Sequence, residues 1–234
     1  MKQRLLAVAA AAGIAFAVPQ VEAHTVDLTG FTYANPTVAT VQSTSASSPI
    51  SPFAVYAGQY SGLLDGRAFV SYCVELTQSL RFDTLYTDFQ IVSGVDAWGA
   101  AKSAQFDRLI SFLFSTNVVT NANASGLAQS AVWETLYETS PSNGFATGTF
   151  RATSANPMMS AADTIDWSFL NSVPITYHVD LLHSPTAQDL MLIRAAAVPE
   201  PSAIALWLAG ALGLFAAARR RRTTTAMPLR AALQ

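Results

Sequence analysis

Alternating apolar and polar residues predict a chain made mainly of β-strands. The pattern predicts strands over residues 25–33, 37–42, 53–60, 68–76, 85–93, 175–182 and 189–195, with a further short strand within 145–151. Between the third and fourth of these strands, Asp65-Gly66 is a strong hairpin signal. We expect the strands to form a β-sandwich or a barrel-like sheet.

Two segments in the middle of the chain have helical rather than strand periodicity. Apolar residues recur at helical spacing over 97–115, which predicts an amphipathic helix. A second helix is predicted over 125–139, with Asn123 or Ser125 as its N-cap, and a short helical turn over 163–170. The predicted fold is therefore mainly β, sandwich-like or barrel-like, with a two-helix insertion in mid-sequence.

Both ends of the chain are apolar and are set apart from this domain. Lys2 and Arg4 precede an apolar run that ends in small residues, so residues 1–23 predict a secretory signal peptide. Cleavage there would leave His24 at the mature N-terminus. Residues 203–218 are uncharged and predict a transmembrane helix, although their 16 residues fall short of the roughly 20 that a spanning helix needs.

Residues 198–222 combine a VPEP motif, the apolar segment and a run of four arginines. This arrangement resembles the PEP-CTERM sorting signal of Gram-negative bacteria, with Pro199, Glu200 and Pro201 as the motif. The resemblance implies that an exosortase removes the tail from a precursor held in the inner membrane, and that the body reaches the outer surface or the extracellular matrix. Residues 223–234 would be a cytoplasmic extension that is longer than usual. The stop-transfer residues would be Arg219, Arg220, Arg221 and Arg222.

The body of the chain, residues 24–197, has the size of one domain with a substantial core. It carries six basic and thirteen acidic side chains, a net charge near −7 that the basic tail masks in the whole sequence. Because nucleic-acid binding needs a basic surface, we expect no nucleic-acid partner. Cys73 is the single cysteine, so no internal disulfide is possible.

Two side chains of the body stand out chemically. Cys73 alternates with Tyr72 and Val74 along its predicted strand, on the more polar face. Gln129 lies on the apolar stripe of the second helix, where burying an unpaired amide would cost about 1–3 kcal/mol. Either a partner satisfies this amide or a reaction consumes it. Attack of the Cys73 thiol on the amide would release ammonia and leave an intramolecular thioester.

The motifs around these residues resemble those of bacterial surface domains with a Cys–Gln thioester. They are SYCVEL at 71–76, LAQSAVWE at 127–134, the intervening helix FDRLISFL at 106–113, and QDLM at 188–191. The resemblance implies that Cys73 and Gln129 form the thioester and that Tyr72 and Trp133 pack beside it. It also implies covalent attachment to an amine or hydroxyl on a surface or matrix partner, or a structural cross-link. Ala128 departs from the threonine that adhesive members often carry.

Other interpretations remain open. Cys73 would be a buried free thiol and Gln129 a hydrogen-bonded amide in a passive protein that binds matrix polysaccharide without covalent chemistry. Its aromatic candidates are Tyr56, Tyr60, Tyr86 and Trp98. An enzyme alternative is a copper-dependent polysaccharide oxidase that uses His24, with His178 or His183 as the second ligand. The carboxylate pair Glu134 and Glu138 is expected to form a solvated helix face. The favoured prediction is a non-enzymatic exported protein with no cofactor and no bound metal.

Overall fold

The structure is a computed structural model that describes residues 22–46, 48–138, 144–156, 166–197, 206–212 and 214–215. The helices described within residues 24–197 are α1 (Gly94–Trp98), α2 (Ala100–Ser115), α3 (Ala122–Tyr137) and α4 (Trp167–Leu170). The prediction of a mainly β protein with helices in mid-sequence is confirmed, since α2 and α3 fall between β6 and β7. The strands are β1 (His24–Phe31), β2 (Thr37–Ser43), β3 (Ile50–Ala57), β4 (Tyr60–Leu64), β5 (Arg67–Ser71), β6 (Leu85–Val92), β7 (Phe150–Thr153), β8 (Tyr177–His183) and β9 (Leu190–Ala195).

Six strands form an antiparallel sheet in the order β5-β4-β1-β6-β8-β9. The two outer strands of this sheet approach each other, because Cys73, just after β5, pairs with Leu190. Backbone hydrogen bonds flank this pair, from Val74 to Asp189 at 3.1 Å and from Met191 to Tyr72 at 2.9 Å. The sheet is therefore nearly closed, and we call residues 72–74 and 189–191 the seam.

The remaining strands form a three-stranded antiparallel sheet in the order β3-β2-β7. Side chains of β2 alternate between buried and exposed, which is the pattern of a sheet with one covered face. Helix α3 contacts all three strands. A Cβ added to Gly126 of α3 would lie 2.5 Å from the Cβ of Thr37, so the helix and β2 are in close contact there.

The buried apolar side chains form two clusters that meet at α3. The first joins the interior of the nearly closed sheet to the three-stranded sheet and includes Cys73 and Trp133. The second joins α2 and α3 to the outer side of the seam and includes Tyr72 and Val132. Because both clusters use α3, that helix is buried on nearly every side.

The hairpin prediction is confirmed, but the strand before it is divided. Asp65 and Gly66 have φ values of 50° and 75°, the positive values of a two-residue type I′ turn, and they join β4 to β5. The predicted strand 53–60 is split between two sheets, ending at Ala57 in β3 and resuming at Tyr60 in β4. The chain crosses between the sheets at Gly58, where a Cβ would lie 3.0 Å from the ring of Phe31.

Helix boundaries differ from the predicted ones for local reasons. The predicted helix 97–115 is two helices, because Gly99 has φ 79° and ψ 158° and ends α1 before α2 begins. The N-cap of α3 is Asn121, whose side chain accepts from Ala124 N at 3.0 Å, and not Asn123 or Ser125. Ser125 instead accepts from the backbone N–H of Gln59 at 2.7 Å, which ties α3 to the crossing segment.

The predicted targeting segments lie largely outside the described residues. Of the signal peptide, only Glu22 and Ala23 are described, and the arginine run and the extension at 223–234 are not. Of the segment 203–218, residues 206–212 and 214–215 are described and are helical and exposed. Within the described part of the chain, no helix has the length and apolar character to cross a membrane.

Candidate functional site

The seam buries Cys73 completely. Its side chain belongs to the first core cluster, whereas those of Tyr72 and Val74 belong to the second, so the predicted alternation is observed. The flanking seam bonds are made by residues 72 and 74, so the backbone N–H and C=O of Cys73 point away from Leu190. These two groups therefore need a partner on the side where a sheet would place another strand.

Gln129 of α3 provides that partner. Its Oε1 accepts from the backbone N–H of Cys73 at 2.9 Å, and its Nε2 donates to the Cys73 carbonyl at 2.8 Å. The side chain is 1% exposed. The amide group that stood out on an apolar stripe is thus paired at both its oxygen and its nitrogen, and the residue that pairs it is Cys73.

The sulfur of Cys73 lies in a dry environment with few donors. Its S–H donates to the carbonyl of Glu75, and the backbone N–H of Glu75 donates to the sulfur at 3.3 Å. Burial raises the pKa of the thiol to about 12, against smaller lowering effects of Glu75 and Trp133. The unreacted thiol is therefore neutral at physiological pH.

The two residues predicted to pack beside the thioester differ in position. Trp133 is buried in the same cluster as Cys73, one turn after Gln129 on α3. Tyr72 points to the opposite side of the seam, where its hydroxyl accepts from Gln59 Nε2 at 3.2 Å. The packing predicted for Tyr72 is therefore not found, because successive residues of an extended segment face opposite sides.

Polar residues that sequence reasoning did not assign hold the segment that follows Cys73. Gln188 Nε2 donates to the Glu75 carbonyl at 2.7 Å, and Asp189 N donates to a Glu75 carboxylate oxygen at 3.3 Å. The hydroxyl of Tyr137 accepts from Leu76 N at 3.2 Å. The available signals were the QDLM motif and the helical spacing from Gln129 through Trp133 to Tyr137. Together these contacts fix the two chain segments that enclose Cys73.

The three histidines each pair with an aspartate instead of with one another. The pairs are His24 with Asp65, His178 with Asp107 and His183 with Asp189. His24 is opposite Phe89 and His183 is opposite the next residue, Gln90, so the two histidines face opposite sides of the sheet. Among the described residues, no group of three metal-ligating side chains is found. This arrangement does not bring His178 or His183 to His24, as the copper interpretation would require.

The expected solvated face of Glu134 and Glu138 is wrong, because both side chains are buried. Glu138 accepts from the backbone N–H groups of Thr149 and Phe150 at 2.8 and 3.1 Å. Both carboxyl oxygens of Glu134 lack a hydrogen-bond partner within the described residues. Burial, with the charge of Glu138 as a smaller cause, raises the pKa of Glu134 to about 8. Helix α3 is covered on the side where a solvent-exposed face was expected.

Most of the aromatic side chains considered for sugar binding are buried or pack against other rings of the fold. Tyr60 is buried, and Trp98 packs on Phe106 with ring centroids 4.7 Å apart. Tyr86 meets Phe89 edge to face. Tyr56 is different, since it is 62% exposed.

Comparison with known proteins identifies the tail. Residues 197–222 match the PEP-CTERM protein-sorting motif, so the sorting signal predicted at 198–222 is confirmed. No curated protein and no solved structure matches the chain. The motif indicates an exported, surface-sorted protein that is processed by an exosortase.

Proposed function

We propose that this exported protein carries an intramolecular thioester between Cys73 and Gln129, which serves for covalent attachment or cross-linking at the cell surface or in the extracellular, exopolysaccharide-containing matrix of a biofilm. The observation that carries the proposal is the pairing of the Gln129 amide with the backbone of Cys73. This pairing holds the acyl group against the residue that bears the thiol, as an intramolecular acyl transfer requires.

The proposed reaction needs no cofactor. The sulfur of Cys73 attacks Cδ of Gln129, the C–S bond forms, the C–N bond breaks, and ammonia leaves with the thiol proton. Negative charge develops on Oε1, which already accepts from the backbone N–H of Cys73 at 2.9 Å. A donor fixed at the atom where charge develops is usually the largest single contribution to the catalysis of acyl transfer.

Burial of the site favours persistence of the bond. Cys73 and Gln129 are both sealed from solvent, so hydrolysis would be slow while the seam stays closed. The residues are 56 apart in sequence. A covalent link over such a loop stabilises a fold by roughly 4 kcal/mol in the chain-entropy description. A partner's amine or hydroxyl would reach the acyl carbon only when the residues that bury Cys73 and Gln129 move apart. It would then displace the thiol and remain bound to residue 129.

The test is the intact mass of the exported protein, measured beside the Cys73→Ala variant processed at the same ends. A wild-type mass lower than that of the sequence by one ammonia, with Cys73 resistant to alkylation under denaturing conditions, supports the bond. One methylamine added at residue 129 together with a freed thiol supports an acyl donor that can attach a partner. A full mass with an alkylatable Cys73 and an intact Gln129 rejects the thioester; Glu at position 129 reveals prior hydrolysis.

A second candidate function is non-covalent binding to matrix polysaccharide. The exposed ring of Tyr56 favours it, because this ring meets Phe31 edge to face at 6.3 Å, and Phe31 in turn contacts the partly exposed Phe82 at 5.3 Å. Exposed aromatic rings can stack on the apolar faces of sugars. Surface retention that survives Cys73→Ala but is lost in Tyr56→Ala would favour this function over covalent attachment.

A further inference from the structure

The indole N–H of Trp133 is a buried donor that lacks an ordinary partner. The side chain is 1% exposed, and Nε1 has no hydrogen-bond partner among the described residues. Leaving such a donor unpaired in the core costs about 1–3 kcal/mol. A buried N–H of this kind is explained either by a weak acceptor nearby or by an acceptor that forms during a reaction.

The sulfur of Cys73 is the group on which this N–H acts, although no hydrogen bond of ordinary geometry joins the two. Trp133 and Cys73 belong to one core cluster, and the indole acts on the thiol as a hydrogen-bond donor that lowers its pKa. A thiol sulfur is a weak acceptor, so this contact satisfies the N–H only in part. A sulfur that carries negative charge would be a much stronger acceptor.

Helix geometry places this donor beside the acyl group. Gln129 and Trp133 are four residues apart on α3, so their side chains lie on one face, one turn apart. The glutamine pairs with the backbone of Cys73, while the indole lowers the pKa of its thiol. One helix face therefore presents both the acyl donor and an N–H donor to the same cysteine.

We propose that the indole N–H of Trp133 stabilises the Cys73 thiolate as it leaves when a nucleophile opens the thioester. The inference rests on the proposed function and adds a reactivity-determining residue to it. An amine attacks Cδ of residue 129, the C–S bond breaks, its electron pair goes to the sulfur, and the amine's proton ends on that sulfur. The products are an amide to the partner and a free thiol.

The need for such a donor follows from the surroundings of the sulfur. Burial disfavours a charged thiolate, and the nearby acidic groups Glu75 and Asp189 oppose it as well. Against these effects, the backbone N–H of Glu75 donates to the sulfur, and the indole of Trp133 favours the thiolate. Removing the indole N–H would leave a single identified donor and make the thiolate a poorer leaving group.

The experiment replaces Trp133 with 3-benzothienylalanine, which keeps the shape of indole but carries sulfur in place of N–H. Methylamine opening of the thioester should slow by roughly ten- to a hundredfold, the loss expected for one hydrogen bond to a charged group. Trp133→Phe provides a second variant, and Trp98→Phe is the matched control that should leave the rate unchanged. An unchanged rate in the benzothienyl protein overturns the proposal.

A spectroscopic measurement tests the contact without relying on the thioester. The indole N–H resonance of Trp133 should move upfield in Cys73→Ala, where the acceptor is gone, while the resonance of Trp98 stays in place. An unmoved Trp133 resonance overturns the inference even if the thioester is present. A full intact mass together with a shifted resonance rejects the thioester, and with it the leaving-group role, while identifying the N–H···S contact.

Discussion

The side-chain amide of Gln129 takes the place of a missing β-strand beside Cys73. Its Oε1 and Nε2 lie 2.9 and 2.8 Å from the backbone N and O of Cys73, which is the pairing that a neighbouring strand would make. Because the opposite side of this segment is paired with Leu190, both edges of the chain at Cys73 are occupied. The contact joins α3 to the seam of the nearly closed sheet.

The first prediction concerns the strength of this pairing in the absence of any covalent bond. In a Cys73→Ala background, Gln129→Ala leaves two buried backbone groups of residue 73 without partners, and we expect the free energy of unfolding to fall by about 2–4 kcal/mol. Urea unfolding of the single and double variants measures the difference. Gln105→Ala in the same background removes a partly exposed amide from α2 and should cost under about 0.5 kcal/mol. Equal losses for the two glutamines would contradict the pairing.

The second prediction concerns pH and Glu134. Its pKa of about 8 in the folded protein exceeds the ordinary value of 4.5, so the folded state holds the proton more tightly than the unfolded state. Stability should therefore fall as pH rises from about 4.5 to about 8, and this carboxyl should contribute no further change outside that window. The expected loss at pH 7 relative to pH 4 is roughly 3 kcal/mol.

Glu134→Gln isolates that contribution, because the amide has nearly the same shape and does not ionise. The difference in unfolding free energy between the variant and the wild type should grow in favour of the variant from pH 5 to pH 8. Asp166→Asn is a suitable control, since hydrogen bonds from Ser168 and Phe169 lower the pKa of that exposed carboxyl and place its titration below this range. A difference that stays constant with pH would show that Glu134 is not buried as a neutral acid.

Local patterns predicted the elements of the fold better than their assembly. The Asp65-Gly66 turn was recognisable because its positive φ angles need those residue types. The crossing at Gly58 could not be recognised, because the strand pattern on its two sides is continuous. The change of sheet depends on contacts with Phe31 and Ser125. The break at Gly99 was missed for a related reason, since apolar spacing continues through it.

The sequence predicted the residues of the candidate site but not the contacts that surround them. Gln129 was conspicuous as an amide on an apolar stripe, but the pairing of both its ends with Cys73 depends on the seam, which joins segments more than 100 residues apart. The burial of Glu134 was missed because a helix packed against the three-stranded sheet, α2 and the seam has no broad solvent-exposed face to give it a simple periodicity. The different orientations of Tyr72 and Trp133 likewise depend on tertiary packing.

The third prediction tests the close contact between α3 and β2. Gly126→Ala would place a Cβ 2.5 Å from the Cβ and Oγ1 of Thr37, so the helix must move away from the sheet. We expect a loss of about 1–3 kcal/mol in unfolding free energy, despite the better helix propensity of alanine. Asn123→Ala is the control, because it lies on the same helix at an exposed position and should stay within about 0.5 kcal/mol of the wild type. A stabilised Gly126→Ala protein would show that the contact is looser than observed.

The fourth prediction concerns the sorting tail. Replacing Pro199, Glu200 and Pro201 with alanine removes the motif near which an exosortase is expected to act, while the apolar segment and the arginines that follow it are kept. The unprocessed precursor should then accumulate in the inner-membrane fraction, and the protein should disappear from the cell surface and the medium, as followed by immunoblot against the body. Deletion of residues 223–234 lies beyond the matched motif and should leave processing intact. If the alanine variant reached the surface at its normal size and amount, the motif would not direct sorting.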